Sequence, residues 1–457
     1  MIDAIKDILS HFFVIPLVFT LGVYFTYQLR FIQITKLPYA LKCFISERDH
    51  TGKSSSFSAV AAVLGGNLGT GNIAGIAVAL KTGGPGALFW MWIMALLGAT
   101  LKFTGCTLGV LYRQKQADGR YVGGPMYYLE KGLNLKFFAK LFSIATVGGA
   151  LTVGCWVQMH SIALPIAKTG FNPMIAGLLM SLLVGIVIFG GLKRFNKVVS
   201  IIVPIMGLGY ITACLIILSI YNENIIPSLS LILQSALNPQ TVVSGVVGFT
   251  ILEAIRVGFD RGLFATDVGV GLAPIIHSTI ESPLNVKELA LKQGLISTIP
   301  PLVVMVVCML TGLVLMVTDA WLIPNLESTN LCIEAFKAGL GRYAGLAVTA
   351  TLTIFAYTTI LTWSLCADRS IEYLFSKKWV RLFQIGFIAV IPLGTLFTVN
   401  LVWTLADIFM NCMLIINIIG LVGLSHLVFK KVQKAKKKIF NSHLAMQTKS
   451  DRGAFLS

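Results

Sequence analysis

Gly65-Gly66-Asn67-Leu68-Gly69-Thr70-Gly71-Asn72 lies in the middle of an uncharged run from residue 54 to residue 80. That run is long enough to cross a bilayer as a helix, since about 20 apolar residues span a hydrocarbon layer about 30 Å thick. Its centre opposes helix formation. Each glycine in a helix interior costs roughly 0.5–1 kcal/mol relative to alanine, and here four fall within seven residues, beside two asparagines. Unwound backbone inside a bilayer survives only where it lines a protein or water-filled cavity. There it offers bare amides at the amino end of a half-helix, where the dipole is positive and a carboxylate is favoured. It also offers carbonyl oxygens to a small cation. Small residues in a membrane span also serve close helix packing, but the density of Gly, Asn and Thr at mid-span favours a binding site.

The rest of the 457-residue chain is read by cutting it at its charges. Uncharged runs of 19 or more residues fall at 11–29, 54–80, 82–101, 141–167, 169–192, 198–222, 224–252, 293–318, 343–367, 382–406 and 408–429, giving eleven candidate spans. A β-barrel would show alternating segments of about ten residues, so the spans read as helices. The composition agrees: 12% of residues are charged, against about 25% in soluble domains, which excludes an ordinary water-soluble enzyme. High hydrophobicity equally excludes disorder. Taking the loops alternately, 30 Lys and Arg fall on one side and five on the other. Basic loops face the cytoplasm, which predicts a multi-pass protein of the cell inner membrane with its amino terminus outside and its carboxyl terminus inside.

The net charge of +17 is therefore a topology signal, not a nucleic-acid footprint. The tail cluster Lys430, Lys431, Lys434, Lys436, Lys437 and Lys438 is expected against anionic lipid headgroups. Arg30 follows the first apolar run instead of preceding it, unlike a cleaved signal peptide. The eight cysteines form no C-x-x-C pair and read as small packing residues, with no disulfide framework or metal site. Gly52-Lys53-Ser54 has Glu47 where a phosphate-binding loop requires its first glycine.

Spans two to six occupy 54–223 and spans seven to eleven occupy 224–429. Five is odd, so if the halves are repeats they lie inverted, a plan of secondary transporters that places substrate near the midplane on broken helices. Residues 1–53 are then an accessory helix and cytoplasmic loop, and 430–457 a basic tail. Gly245 and Gly248 mark a candidate for the matching break in span seven.

Few ionisable groups are expected at membrane depth. Glu253, Arg256, Asp260 and Arg261 fall at the inner end of span seven, Asp407 at the outer start of span eleven, and Lys102 at a helix end. His160 is the main mid-span exception, either functional or a packing residue. Proton-driven carriers use intramembrane Asp, Glu or His; their scarcity favours Na⁺ held by neutral oxygens over H⁺. Span nine supplies Thr351, Thr353, Thr358, Thr359 and Thr362, and span four supplies Gln158 beside Trp156. Thr359 and Trp363 share a helical face, with Phe355 one turn earlier. Asn72, Gln158 and Thr359 form a candidate trio for the charged groups of an amino acid, with Trp363 and Phe355 limiting side-chain size. A single threonine can also bond its own i−4 carbonyl.

These residues carry a resemblance. Gly69-Thr70-Gly71-Asn72-Ile73-Ala74-Gly75, Gly83-Gly84-Pro85-Gly86-Ala87 with Phe89-Trp90-Met91-Trp92, Tyr121-Val122-Gly123-Gly124-Pro125-Met126-Tyr127-Tyr128, Arg261-Gly262-Leu263-Phe264 and Phe355-Ala356-Tyr357-Thr358-Thr359 with Trp363 are similar to the alanine/glycine:cation symporter family, from about residue 57 to Asn417. The resemblance implies an all-α integral membrane protein of LeuT-type 5+5 inverted-repeat fold plus one extra N-terminal helix, moving L- or D-alanine or glycine with Na⁺. It assigns Gly69, Thr70, Gly71, Asn72, Gln158, Thr359 and Trp363 to the substrate, joining Phe355 from the reading of span nine. It assigns Thr358 and Thr359, the carbonyls of Gly65 and Leu68, and Asn72 to Na⁺. The sequence departs from the family at Thr266-Asp267, where Asn-Glu is usual, at Gly105, usually Glu, and at Met159-His160, where Ser-Asn is expected. The first two are expected near the inner surface and the third beside the pocket, where it keeps H⁺ coupling open.

The expected function is secondary active import of small neutral amino acids by Na⁺-coupled symport with alternating access. The alternatives are H⁺-coupled symport of another small amino acid and a non-transporting amino-acid sensor. A membrane-embedded enzyme is not expected, because clustered carboxylates, histidines or a Cys/His pair at depth are missing.

Overall fold

The computed structural model of the chain describes residues 6–46, 55–168, 170–238, 240–243, 246–324, 326, 328–341 and 343–454. Gly245 and the side chains of Lys436, Lys437 and Lys438 lie outside the described residues.

The helices that position the site are, in chain order, α1 (Ile8–Gln28), α2 (Ser56–Asn67), α3 (Ala74–Gly83), α4 (Gly86–Leu111), α5 (Lys136–Lys168), α6 (Pro173–Ile188), α7 (Gly191–Ile220), α8 (Ile225–Leu237), α9 (Ile251–Thr266), α10 (Leu272–Ser278), α11 (Val286–Val317), α12 (Ala344–Leu374), α13 (Lys377–Val390) and α14 (Val399–Ala454). Two small hairpins, β1 (Gln114–Lys115) with β2 (Tyr121–Val122) and β3 (Gln240–Val243) with β4 (Val246–Thr250), are antiparallel. Seven helices among the described residues are long and apolar enough to cross a membrane: α1, α4, α5, α7, α11, α12 and α14. α2, α3 and α6 are apolar but shorter.

α2 and α3 are the two halves of the run read first. α2 begins on a capping box, with Ser55 Oγ accepting from the Ser58 amide at 3.2 Å and Ser58 Oγ accepting from the Ser55 amide at 3.0 Å. It is buried on nearly every face, between α7 and α12. α9 crosses α4 over a long contact, and α12 lies along α5.

The run 224–252 is not one crossing. α8 has only 13 residues, a hairpin follows, and a new helix starts at Ile251. The reason is local: Thr250 Oγ1 accepts from the Glu253 amide, and the Glu253 carboxylate accepts from the Thr250 amide. This capping box fixes a helix start that a count of uncharged residues overlooks. The chain breaks again after α9, at Asp267–Gly271, before α10 begins. Gly248 lies in strand β4. Asp267, Gly269 and Gly271 all have left-handed backbone, with φ of 48°, 74° and 108°.

Three placements of charge change with it. Asp260 accepts a hydrogen bond from Ser10 of α1, and Arg261 pairs with Asp407 of α14 at 3.2 Å. These groups lie at the end of the bundle where α1 and α14 begin, opposite the basic loops, not at the inner end. Lys102 is not at a helix end: it sits inside α4 and is buried. Asp267, His277 and Arg369 are also buried, so among the described residues the interior carries several ionisable groups besides His160.

α9 approaches α4 through glycine. A Cβ on Gly258 would lie 2.7 Å from the Ala87 carbonyl oxygen and 2.7 Å from Trp90 Cβ. The neighbouring backbone cannot yield cheaply, and overpacking costs typically 1–3 kcal/mol. Gly258→Ala is expected to lower the thermal midpoint of the purified protein in detergent; an unchanged midpoint would mean that α9 and α4 are not in this contact.

Candidate functional site

The α-helical ladder of α2 ends with the Leu68 amide on the Leu64 carbonyl, and that of α3 begins with Ala77 on Ile73. Between them Gly69 is extended, with φ −105° and ψ −169°, and Thr70–Asn72 forms one tight turn closed by Asn72 N–H on Gly69 O and Ile73 N–H on Thr70 O, each at 3.2 Å. The helix is broken where the glycine cluster predicts.

Two side chains from other helices close on the break at Gly69. A Cβ there would lie 2.8 Å from Thr359 Oγ1 and 3.0 Å from Gln158 Oε1. Gln158 Oε1 accepts from the Thr70 amide at 3.0 Å and from the Thr70 hydroxyl at 3.1 Å. Its aim is set from behind. α5 is π-helical over Thr152–Trp156, which leaves the Val153 carbonyl free to take Gln158 Nε2 at 3.0 Å. Such π segments inside α-helices recur at functional sites.

A seam of neutral oxygens runs between α2 and α12. Thr359 Oγ1 lies 3.0 Å from Gly65 O and 2.9 Å from Phe355 O. Thr362 Oγ1 lies 3.0 Å from Ala62 O and 2.9 Å from Thr358 O. Thr358 packs beside Gly65, where a Cβ would lie 3.4 Å from its own. Leu68 is buried with its side chain toward Gly207 of α7. No group of three or more His, Cys, Asp and Glu that could hold a metal occurs among the described residues, so a cation here would meet carbonyl and hydroxyl oxygen.

The expected trio divides. Gln158 and Thr359 meet at Gly69, but Asn72 turns aside: its Nδ2 donates to the Asn67 carbonyl, and its Oδ1 accepts from the Cys308 thiol of α11 at 3.3 Å. Phe355 and Trp363 flank Thr359 by one turn on either side, and both are fully buried. Phe355 packs on Tyr210, with ring centroids 5.7 Å apart. Trp363 is seated over Gly149 and Gly154 of α5, where Cβ atoms would lie 2.9 and 2.3 Å from it.

Gly71 is covered from the end opposite the basic loops. A Cβ there would lie 2.7 Å from the Phe264 ring. Phe264 packs on Trp403 at 4.8 Å between centroids, and the Arg261 guanidinium lies 5.0 Å from the Trp403 ring while pairing with Asp407.

The two breaks are stitched together. The Thr266 carbonyl, at the carboxyl end of α9, accepts from Asn67 Nδ2 and from Lys102 Nζ, each at 2.8 Å. Asn417 Nδ2 donates to the Gly269 carbonyl at 2.8 Å, and Asn417 Oδ1 accepts from Tyr128. The Thr266-Asp267 departure is therefore at the depth of the first break, not near the inner surface. Gly105 faces Pro274 and Leu421. Met159 packs on Gly394, in the connection to α14, and His160 is buried beyond it.

Sequence reasoning missed Asn67, Lys102, Phe264, Cys308 and Asn417. Asn67 was visible as the second amide of the glycine cluster, and Lys102 as a charge inside an otherwise apolar 26-residue helix. No local signal marks Cys308 or Asn417.

Broken helices that meet at mid-bundle, partnered by neutral oxygens and amides, define a membrane carrier. The chain belongs to the Sodium:alanine symporter family, whose pattern matches residues 1–449. The sodium/alanine symporter AgcS of Methanococcus maripaludis is 37% identical, over 91% of this chain and 94% of that protein. The probable sodium/glutamine symporter GlnT of Bacillus subtilis is 32% identical, over 93% of this chain and 88% of that protein. A solved Na⁺-coupled sialic acid symporter shares the fold, with a TM-score of 0.50 at 15% identity, covering 91% of this chain and 84% of that one. The protein is thus a multi-pass, cation-coupled amino-acid symporter.

Gly69→Ala is expected to push Gln158 and Thr359 off the break while leaving the protein folded. Loss of a buried amide's partner costs about 1–3 kcal/mol, so amino-acid affinity should fall roughly tenfold or more in equilibrium binding. Wild-type affinity in this variant would show that Gly69 is not where the ligand sits.

Proposed function

We propose that the protein imports alanine or a similarly small neutral amino acid, glycine included, by symport with Na⁺. The observation that carries this reading is the convergence of Gln158 and Thr359 on the unwound Gly69–Thr70 backbone. Gln158 Oε1 already serves the Thr70 amide as a carboxylate oxygen would. The positive amino end of α3 favours the same negative group. The neighbouring seam of Gly65 O, Thr358, Thr359 and Thr362 offers the hard, uncharged oxygen that Na⁺ accepts, with Leu68 O on the same stretch.

Gly71 and Asn72 complete the substrate side of this reading: Gly71, without a side chain, lets the Phe264 ring close directly over the break, and Asn72 swings from Asn67 when ligand enters. Phe355 and Trp363, packed from both sides, set the width of the pocket. One methylene decides only about 1–3 kcal/mol in an apolar pocket, so serine and glycine should overlap with alanine. AgcS supports alanine as cargo and GlnT supports a larger neutral one; the enclosure of Thr359 between two buried aromatics favours the smaller.

In the same reading the chain crosses the membrane eleven times, α9 and α10 forming the seventh span, and the two five-helix halves of a LeuT-type inverted repeat each open on a broken helix. The basic loops face the cytoplasm, so Phe264, Trp403 and the Arg261–Asp407 pair cover the outer side. Alternating access then exchanges this cover for one on the inner side. Substrate and Na⁺ favour each other reciprocally, because both act on one break.

In proteoliposomes, an inward Na⁺ gradient should drive concentrative uptake of labelled alanine. Uptake driven by a pH gradient alone would contradict the cation assignment. Thr359→Val, which keeps the shape and removes the hydroxyl, should raise the Na⁺ concentration for half-maximal uptake roughly tenfold, for a loss of about 1–2 kcal/mol. An unchanged Na⁺ dependence would remove Thr359 from the cation site.

A further inference from the structure

A cavity of about 390 Å³ opens on the basic face of the bundle between the α6–α7 connection, α12 and α13. Its apolar wall begins at Leu361, two residues beyond Thr359 on α12, and continues through Leu365 to Phe195 of α7. It is therefore distinct from the break, and it runs from that level toward the carboxyl end of α12. Four cations and two carboxylates line it, and most of them are committed to one another. Glu372 takes Arg369 at 2.8 Å and Arg120 at 3.1 Å. Asp118, on the β1–β2 turn, takes Arg120 at 2.7 Å and Lys377 at 2.8 Å, and these two hold its carboxyl well below the usual range.

Two charges of opposite sign are left over. Asp368 Oδ1 is buried with no hydrogen-bond partner among the described residues, while the other carboxylate oxygen accepts from Gln384 Nε2 at 2.7 Å. Arg381 has its guanidinium 3.9 Å from the Phe189 ring and no carboxylate within ion-pair distance among the described residues. Arg381 and Gln384 are i and i+3 on α13 and share a face, and with Asp368 they line the same cavity. The buried Nε of Arg369, also unpartnered among the described residues, lines the same space.

A lone anion would meet Asp368 and a lone cation would meet Arg381. A ligand carrying both charges on one carbon satisfies both, and its side chain meets Leu361 and Leu365. We propose that this cavity is a second binding site, on the cytoplasmic side, for a zwitterionic α-amino acid: carboxylate on Arg381, ammonium on Asp368 Oδ1. The inference takes its orientation from the reading above, but not its residues. It gives a transported amino acid a station between the break and the cytoplasm, and gives a high internal concentration a place to act back on the carrier.

The test is the stoichiometry of labelled alanine bound to the purified full-length protein at saturation with Na⁺ present. Wild type should bind two per chain. Gln158→Ala should leave one, contributed by the inner cavity, and Asp368→Asn should also leave one, contributed by the break. Arg381→Gln, at the exposed mouth, should match Asp368→Asn and guards against a folding defect in that variant. Two bound in Asp368→Asn and Arg381→Gln, or one in wild type that survives both, would overturn the proposal. So would native mass spectrometry showing an anionic lipid held in an Arg381-dependent way that alanine does not displace. Failure of the break as a site has a different signature: Gln158→Ala would bind as wild type while the two inner variants lost one alanine.

Discussion

Backbone that leaves a helix inside a membrane has no water to turn to, and each buried group without a partner costs several kcal/mol. Both breaks in this protein exist because side chains from distant helices take over the lost bonds. At the first, Gln158 serves the Thr70 amide, and Thr359 and Thr362 address the carbonyls of Gly65 and Ala62. At the second, Asn67 and Lys102 share the Thr266 carbonyl and Asn417 serves Gly269. Asn67 belongs to one break and bonds the other, so neither can rearrange alone.

That mutual dependence links structure to coupled transport. A ligand that displaces Gln158 from Thr70, or a cation that draws the Thr359 hydroxyl from Gly65, alters the bonds that keep the first break in its present form. Under the proposed function such a change reaches α9 through Asn67, and α9 carries both Phe264 over Gly71 and Arg261 against Asp407. Site and cover are parts of one pair of broken helices. Lys102, which donates to the Thr266 carbonyl at the carboxyl end of α9, anchors the pair to α4.

Much of this was legible in the residues. The glycine cluster marked the first break to within a residue, because four glycines override any helical preference. Gln158 and Thr359 were readable as polar groups on otherwise apolar spans. What escaped had physical reasons. The run 224–252 was misread as one helix because uncharged residues also build a short helix and a hairpin, while Thr250 and Glu253, both polar, open the helix that follows. The second break was missed at Asp267 because it uses left-handed turns with only two glycines. Asn72 pointed elsewhere because Cys308, 236 residues away in sequence, holds it, and such a long-range partner leaves no mark on local pattern.

The central claim is that the unwound stretch from Gly65 to Asn72 is the shared seat of amino acid and cation. Hydrogen–deuterium exchange of its backbone amides, with and without alanine and Na⁺, tests it most directly. Peptides covering this stretch should slow when both ligands are present, and less with either alone, while the rest of α3 changes little. Unaltered exchange across the stretch, in protein shown by radiolabel to hold alanine, would contradict the account.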